Sequence, residues 1–379
     1  MGKVFYFPTR LIYSNDSVAD LIQELNSEEK VKVIFLTDAG LLKTGLVEPF
    51  LKKLAEAEIS TEVFSDIPGN PNVQDLIPAY NAAQKTNATH VVALGGGSVI
   101  DMAKAVGILL AHPGMDWEDL QWGRTKVSHP SFPVIAIPTT AGTGSEVTKV
   151  TVIGDHTGFK KGYLNPCVFT RAAIIDGSLT LPLPSKLTAA TGMDALVHAI
   201  EAYTGKRATP MTDLFALGAI RSIVNWLPEA TRNGSNLLAR QAMSEAAATA
   251  GIAFDQSGLA LAHAIGGPLT ATYHLHHGLG IAVLLPATLA FNAPAIIEER
   301  WEALKGALKL PPSAKIDDLA DWARKFIVDL GLPVHLSEVG LKTEDIPKIA
   351  EGATHMAMFG NNIRPASVEE LIALMEANL

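Results

Sequence analysis

An α/β dinucleotide-binding domain followed by an all-helical domain is the fold this 379-residue sequence predicts, and three observations carry it. The first half alternates short apolar runs with amphipathic stretches, the pattern of a Rossmann-like parallel sheet covered by helices. One of those runs, 90–94, passes directly into Gly95-Gly96-Gly97-Ser98 and then into a helical stretch. After Leu181-Pro182-Leu183-Pro184 the strand-like runs give way to long Ala- and Leu-rich helical stretches.

In chain order, the pattern predicts a strand over 31–37, a helix over 45–57, a strand over 61–64, a helix over 73–86, a strand over 90–94 and a helix over 99–110. Three more β-like runs follow at 133–138, 147–153 and 168–175. Helices are then expected over 185–204, 209–226, 236–254, 279–290, 294–308, 316–330 and 366–377. The natural boundary falls near residue 181. Residues 1–181 form the expected α/β domain and 182–379 the helical one, with no internal repeat.

Composition limits the function. The chain is 48% hydrophobic, enough for a large core in two domains. Its net charge of -9, with no basic run, disfavours nucleic acid and anionic membrane surfaces as partners. A single cysteine, Cys167, cannot form an internal disulfide and suits a reducing compartment. No leader-like start and no uninterrupted apolar run of about twenty residues is present, so a soluble cytoplasmic protein is expected.

Asp194 and His198 stand four residues apart in a helical stretch, so a carboxylate and an imidazole can point at one divalent ion. That spacing also arises by chance on ordinary helices. Context favours the ion, because Asp194 is surrounded by Ala190, Met193, Ala195 and Leu196, where an unpaired carboxylate is costly. His263 offers a third ligand. Gly266-Gly267-Pro268 is expected to bend any helix running through it, so a fourth is sought in the cluster His274, His276 and His277.

The glycine turn at 95–98 between strand and helix would leave backbone N–H groups and the positive end of a helix dipole free for a pyrophosphate. Its spacing differs from the common G-x-G-x-x-G fingerprint, and a plain structural turn would look alike. Thr139, Thr140, Thr143 and Ser145 end another run with hydroxyls suited to phosphate or ribose oxygens, as an ordinary polar loop also would. Asp38, at the end of an early strand, can accept from ribose hydroxyls and repel a 2′-phosphate, which favours NAD over NADP. As a helix N-cap it would read the same way.

These residues resemble the iron-containing (group III) alcohol dehydrogenases over most of the chain. The matching stretches are Thr37–Gly40, Ala93–Lys104, Pro138–Val147, Leu187–Tyr203 and His277–Gly280. The resemblance implies an NAD(P)-binding domain, a helical metal domain and catalysis in the cleft between them. It implies Asp194, His198, His263 and His277 as metal ligands. It also implies cofactor contacts at Gly96, Gly97, Ser98, Asp101, Thr139, Thr140, Thr143 and Ser145, with Lys160 reaching the cofactor and Asp38 reading the ribose. Ligand chemistry alone does not separate Fe2+ from Zn2+. Iron is taken from the resemblance, with zinc as the alternative, and a homodimer or larger homo-oligomer is expected.

The implied activity is hydride transfer between a small alcohol or aldehyde and nicotinamide, the ion polarising the substrate oxygen. Glycerol dehydrogenases, hydroxyacid–oxoacid transhydrogenases and dehydroquinate synthases share the layout, and a non-catalytic nucleotide-binding protein would require a vestigial metal site. One departure stands out. Many members carry a second histidine four residues after the first of these His ligands, where this chain has Gly267. The proton path is therefore expected to run through water chained along the cofactor ribose, or through His274 or His276, which would share a face if their segment were extended. Gly267, with Gly266 and Gly258, is expected to open volume beside the apolar walls Phe254 and Phe359.

Overall fold

A computed structural model describes residues 4–26, 30–157 and 160–379, excluding the side chain of Lys160. The chain divides into two compact units, Tyr6–Thr140 with Gly144–Pro182, and Leu183–Leu379 with Ala141–Thr143 and the first residues up to Phe5.

The α/β unit runs β1 (Arg10–Tyr13), α1 (Ser17–Leu25), β2 (Lys32–Leu36), α2 (Ala39–Leu42), α3 (Glu48–Glu56), β3 (Ser60–Phe64), α4 (Val73–Lys85), β4 (His90–Gly95), α5 (Gly97–Ala111), α6 (Trp117–Gln121), β5 (Val134–Pro138), β6 (Val150–Gly154), β7 (Lys160–Leu164) and β8 (Ala172–Ile175). Six strands form a parallel sheet in the order β1-β8-β5-β4-β2-β3. The central strands β2, β4 and β5 read as continuous apolar runs because they are buried on both faces. Separate apolar clusters sit on the two faces, one around Leu76, Ile100 and Val106 and the other around Leu21, Phe50 and Ile137.

Chain direction across the sheet reverses between β2 and β4, since β3 lies outside β2 and β5 lies on the far side of β4. Ligands of open parallel sheets bind at the carboxyl ends of strands at such a reversal. The sequence-predicted strands are present, with two refinements. The run at 147–153 becomes β6, which leaves the sheet to pair antiparallel with β7, and residues Ser145–Val147 form a 3-10 turn before it. Strand β1 and helix α1 escaped notice because β1 has four residues and pairs with β8, about 160 positions away.

The helical unit comprises α7 (Ser185–Thr204), α8 (Pro210–Arg232), α9 (Leu237–Ser257), α10 (Leu261–Tyr273), α11 (His277–Asn292), α12 (Glu298–Ala307), α13 (Leu319–Asp329), α14 (Ile346–Thr354) and α15 (Val368–Glu376). Its apolar core joins Met193, Leu196, Ile220, Leu227, Ile265 and Ile281. Helix α7 is buried on every side from Thr188 to Thr204, so it is the centre around which the others pack. The segment His277–Ala295 is long and apolar enough to cross a membrane by length and composition, although His277, Pro286, Thr288 and Asn292 interrupt it, and 72% of its most apolar window is buried inside this core.

Gly266-Gly267-Pro268 does not end the helix. Helix α10 continues through Pro268, which lacks only one N–H donor, because tertiary packing outweighs that loss. At Gly266 a Cβ would lie 2.1 Å from Ile281 Cδ1, so α10 and α11 meet there in close contact. The chain turns later, at His274, whose φ of 52° closes the helix in a left-handed cap. His274 and His276 therefore flank a turn between two helices and do not lie on an extended segment.

Candidate functional site

Helix α7 carries Asp194 and His198 one turn apart on the same face, as their spacing predicts. Helix α10 brings His263 to them and the first turn of α11 brings His277. The Nε2 atoms of His198, His263 and His277 lie 3.7, 3.6 and 3.8 Å from one oxygen, Asp194 Oδ1. Those separations are too long for hydrogen bonds. Asp194, His263 and His277 offer ligand atoms all within 4.8 Å of one another, close enough for one shared ion, and His198 lies beside Asp194.

Burial sharpens this reading. Asp194, His198 and His263 are each at most 4% exposed, and neither Asp194 Oδ1 nor His263 Nε2 has a hydrogen-bond partner. Two buried polar atoms facing each other without partners would cost several kcal/mol together, on the order of 1–3 kcal/mol each, unless something sits between them. The donor set of one carboxylate and three imidazoles fits Fe2+ or Zn2+. The His277 side chain is 43% exposed and forms the open rim.

Electrostatics agree at Asp194 and His198. Burial alone would raise the Asp194 carboxyl, but His198, His277 and His263 outweigh it and hold the group well below the usual carboxylate range. Burial pushes His198 down to about 4, keeping its ring a neutral ligand. His263 runs the other way: against its burial, Glu201 and Asp194 lift it to about 9, so without an ion its ring holds a second proton that a bound metal would displace.

Close packing fixes this geometry. A Cβ on Gly278 would lie 2.2 Å from Ala190 O and 3.2 Å from Asp194 Cβ, so only glycine lets the start of α11 rest on α7 and deliver the adjacent His277. A Cβ on Gly142 would likewise meet Thr191 at 2.8 Å, seating the Ala141–Thr143 segment against α7. Phe254 lies against His198 with ring centroids 4.4 Å apart, while Phe359 packs on the helical core.

The volume expected around three glycines is absent. The space beside Gly267 holds the Met356 terminal methyl, 2.8 Å from an ideal Cβ, and that beside Gly266 holds Ile281. Gly258 is the positive-φ cap of α9, with Asn361 Nδ2 3.1 Å from its Cβ position. Asn361 in turn donates to Ser257 O and Leu259 O, both at 2.9 Å.

In the α/β unit, the predicted nucleotide residues gather at the carboxyl ends of β2, β4 and β5. Gly96 caps the fifteen-residue helix α5 without a side chain, leaving Gly97 and Ser98 in its first turn. Thr139 and Thr140 follow β5, with Thr140 Cγ2 3.4 Å from the Cβ position of Gly96. Asp38 ends β2 and caps α2, accepting from Gly40 N and Leu41 N at 2.8 and 2.9 Å. Ser98 Oγ accepts from Asn70 N at 3.2 Å. Thr143 belongs to the helical unit, and the Lys160 side chain lies outside the described residues.

Asp101 and Ser145 turn inward. Ser145 Oγ donates to Asp101 Oδ1, while Asp101 Oδ2 accepts from Val152 N at 3.0 Å. Beneath them the fully buried Lys104 donates to Ser145 Oγ, Thr148 O and Val150 O at 3.2, 2.9 and 2.8 Å. This network ties α5 to the loop that carries the threonines. The sequence reading missed Lys104, although an amine inside the apolar stretch 99–110 was a visible anomaly.

Glu201 was missed as well. It is 5% exposed and accepts from His263 Nδ1 at 2.7 Å, Ala260 N at 2.9 Å and Ala262 N at 2.6 Å. Its signal was the spacing Asp194, His198, Glu201, three polar groups at i, i+4 and i+7 on a buried helix.

Residues 8–177 match the family model for iron-containing alcohol dehydrogenase, and residues 188–379 match that for the C-terminal part of the Fe-containing alcohol dehydrogenase family. The chain is 33% identical to sulfoacetaldehyde reductase of Bilophila wadsworthia (strain 3_1_6), covering 100% of this chain and 99% of that protein. It is 35% identical to NAD-dependent methanol dehydrogenase of Bacillus methanolicus, covering 98% of each. The crystal structure of a 1,3-propanediol oxidoreductase superposes with a TM-score of 0.94 at 31% identity, over 100% of both chains. The buried carboxylate and its three imidazoles thus sit in a chain that belongs to the iron-containing alcohol dehydrogenase family, oxidoreductases acting on CH–OH groups.

Proposed function

We propose that this chain is an NAD-preferring, metal-dependent alcohol dehydrogenase or aldehyde reductase whose ion is held by Asp194, His198, His263 and His277. One observation carries the reading: a buried carboxylate oxygen faces three imidazole nitrogens at 3.6–3.8 Å without a hydrogen bond. Fe2+ is the preferred ion by family and Zn2+ the alternative. When bound, such an ion supplies a Lewis acid for an alcohol or carbonyl oxygen. The nicotinamide supplies the hydride acceptor or donor.

The chain's own residues do the rest. Asp194 offers one negative charge against three neutral rings, so a divalent ion keeps net positive charge. Phe254 shields His198 from water, and the partly exposed rim at His277 admits a small substrate. Gly96, Gly97 and Ser98 offer N–H groups at a helix N-terminus to a pyrophosphate, and Thr139, Thr140 and Thr143 offer hydroxyls. Asp101 and Ser145 brace that loop from below. Asp38 disfavours a 2′-phosphate, and His276 or His274 takes the proton. The reading includes residues 1–181 as the NAD-binding domain, 182–379 as the metal domain, a homo-oligomer and a cytoplasmic location.

The test is a panel of primary alcohols, diols, hydroxy acids and their aldehydes, with NAD(H) and NADP(H), on Fe2+- and Zn2+-loaded protein. Turnover with NAD, together with loss of bound metal in His263→Ala, is the expected result. A metal-free native preparation that turns over normally would refute it.

A further inference from the structure

A histidine binds a metal through one ring nitrogen only if the other carries the proton, so whatever contacts the second nitrogen selects the ligand. For His263 that contact is Glu201, whose Oε2 lies 2.7 Å from Nδ1. With Nδ1 donating to this carboxylate, Nε2, 3.6 Å from Asp194 Oδ1, is the nitrogen left to take an ion. The same carboxylate accepts the Ala260 and Ala262 N–H groups at the start of α10. Because Asp194, His198 and Glu201 share one face of α7, a single helix presents two ligands and orients a third.

We propose that Glu201 is the positioning residue that makes His263 a metal ligand, by holding its ring in the Nδ1–H form and clamping the first turn of α10 onto α7. The inference rests on the metal-site reading above. Its special content is that a carboxylate, and not merely a polar group, is required. All three contacts of Glu201 are donors, so a carboxylate satisfies every one. Glutamine cannot. Its amide NH2 must face either Ala262 N–H or the Ala260 N–H and His263 pair, and in the second orientation it favours the Nε2–H form, which cannot ligate.

The test compares wild type with Glu201→Gln by Zn2+ competition against a chelator, with thermal unfolding of the metal-free proteins as a control. Expected is a 10–100-fold weaker Zn2+ affinity in the variant, the usual effect of removing a carboxylate behind a ligating imidazole. A second measurement needs no variant: nitrogen-15 NMR of Zn2+-loaded wild type should find the His263 proton on Nδ1. Equal Zn2+ affinity in Glu201→Gln overturns the role of Glu201 while leaving the site intact, whereas a proton on Nε2 in Zn2+-loaded wild type removes His263 from the ligand set and overturns both. Wild type that takes up no Zn2+ overturns the site assignment and this inference with it.

Discussion

The Met356 side chain occupies the place of the side chain that Gly267 lacks, its terminal methyl 2.8 Å from an ideal Cβ there. Position 267 lies one turn beyond His263 on α10, and side chains on a helix lean back over the preceding turn. Gly267→His should lower the melting temperature even though replacing glycine gains roughly 0.3 kcal/mol of helix propensity. Combined with Met356→Ala, which vacates the space, the two losses should fall short of their sum by about 1 kcal/mol in thermal unfolding. Strictly additive losses would show that Met356 does not hold this space.

Gly278→Ala places a methyl 2.2 Å from Ala190 O, a backbone atom that cannot rotate away. The start of α11 must then lift from α7 and carry His277 with it. Metal analysis should find strongly reduced occupancy, and the melting temperature should fall by several degrees. Full occupancy in a stable variant would mean that His277 is not held by this contact.

Burial raises the Glu146 carboxyl to about 7, with its own backbone N–H and Lys104 opposing. The folded state therefore binds a proton more tightly than the unfolded state, where the ordinary value is 4.5. Stability from this group is intact below pH 4.5, falls as pH rises to about 7 and stays lost above it, by on the order of 3 kcal/mol. Glu146→Gln should flatten that decline and raise stability at pH 8, as read by urea unfolding. A variant with the wild-type pH dependence would assign the decline elsewhere.

His274 closes α10 at φ 52°, where glycine is easier by about 1 kcal/mol, so His274→Gly should be neutral or stabilising. His276 is lowered by burial, which leaves its ring neutral near pH 7. The pH–rate profile should shift in His276→Ala or His274→Ala. Unchanged profiles in both variants would exclude these histidines from proton transfer.

What the linear chain determined by itself was local. Periodicity and the Leu181–Pro184 break reveal the parallel-sheet half and the helical half, and the spacings at 194/198 and 95–98 mark the segments proposed to hold a metal and a pyrophosphate, because those signals lie within one or two turns. Tertiary structure alone decided the rest. Helix α10 survives Pro268 because α11 and α14 pack against it, and the glycines at 258, 266 and 267 are filled by Asn361, Ile281 and Met356 from 15 to about 100 residues away. Glu201 acquires its meaning only when α10 folds back onto α7, since a carboxylate's role depends on which donors surround it, and those donors come from another part of the chain.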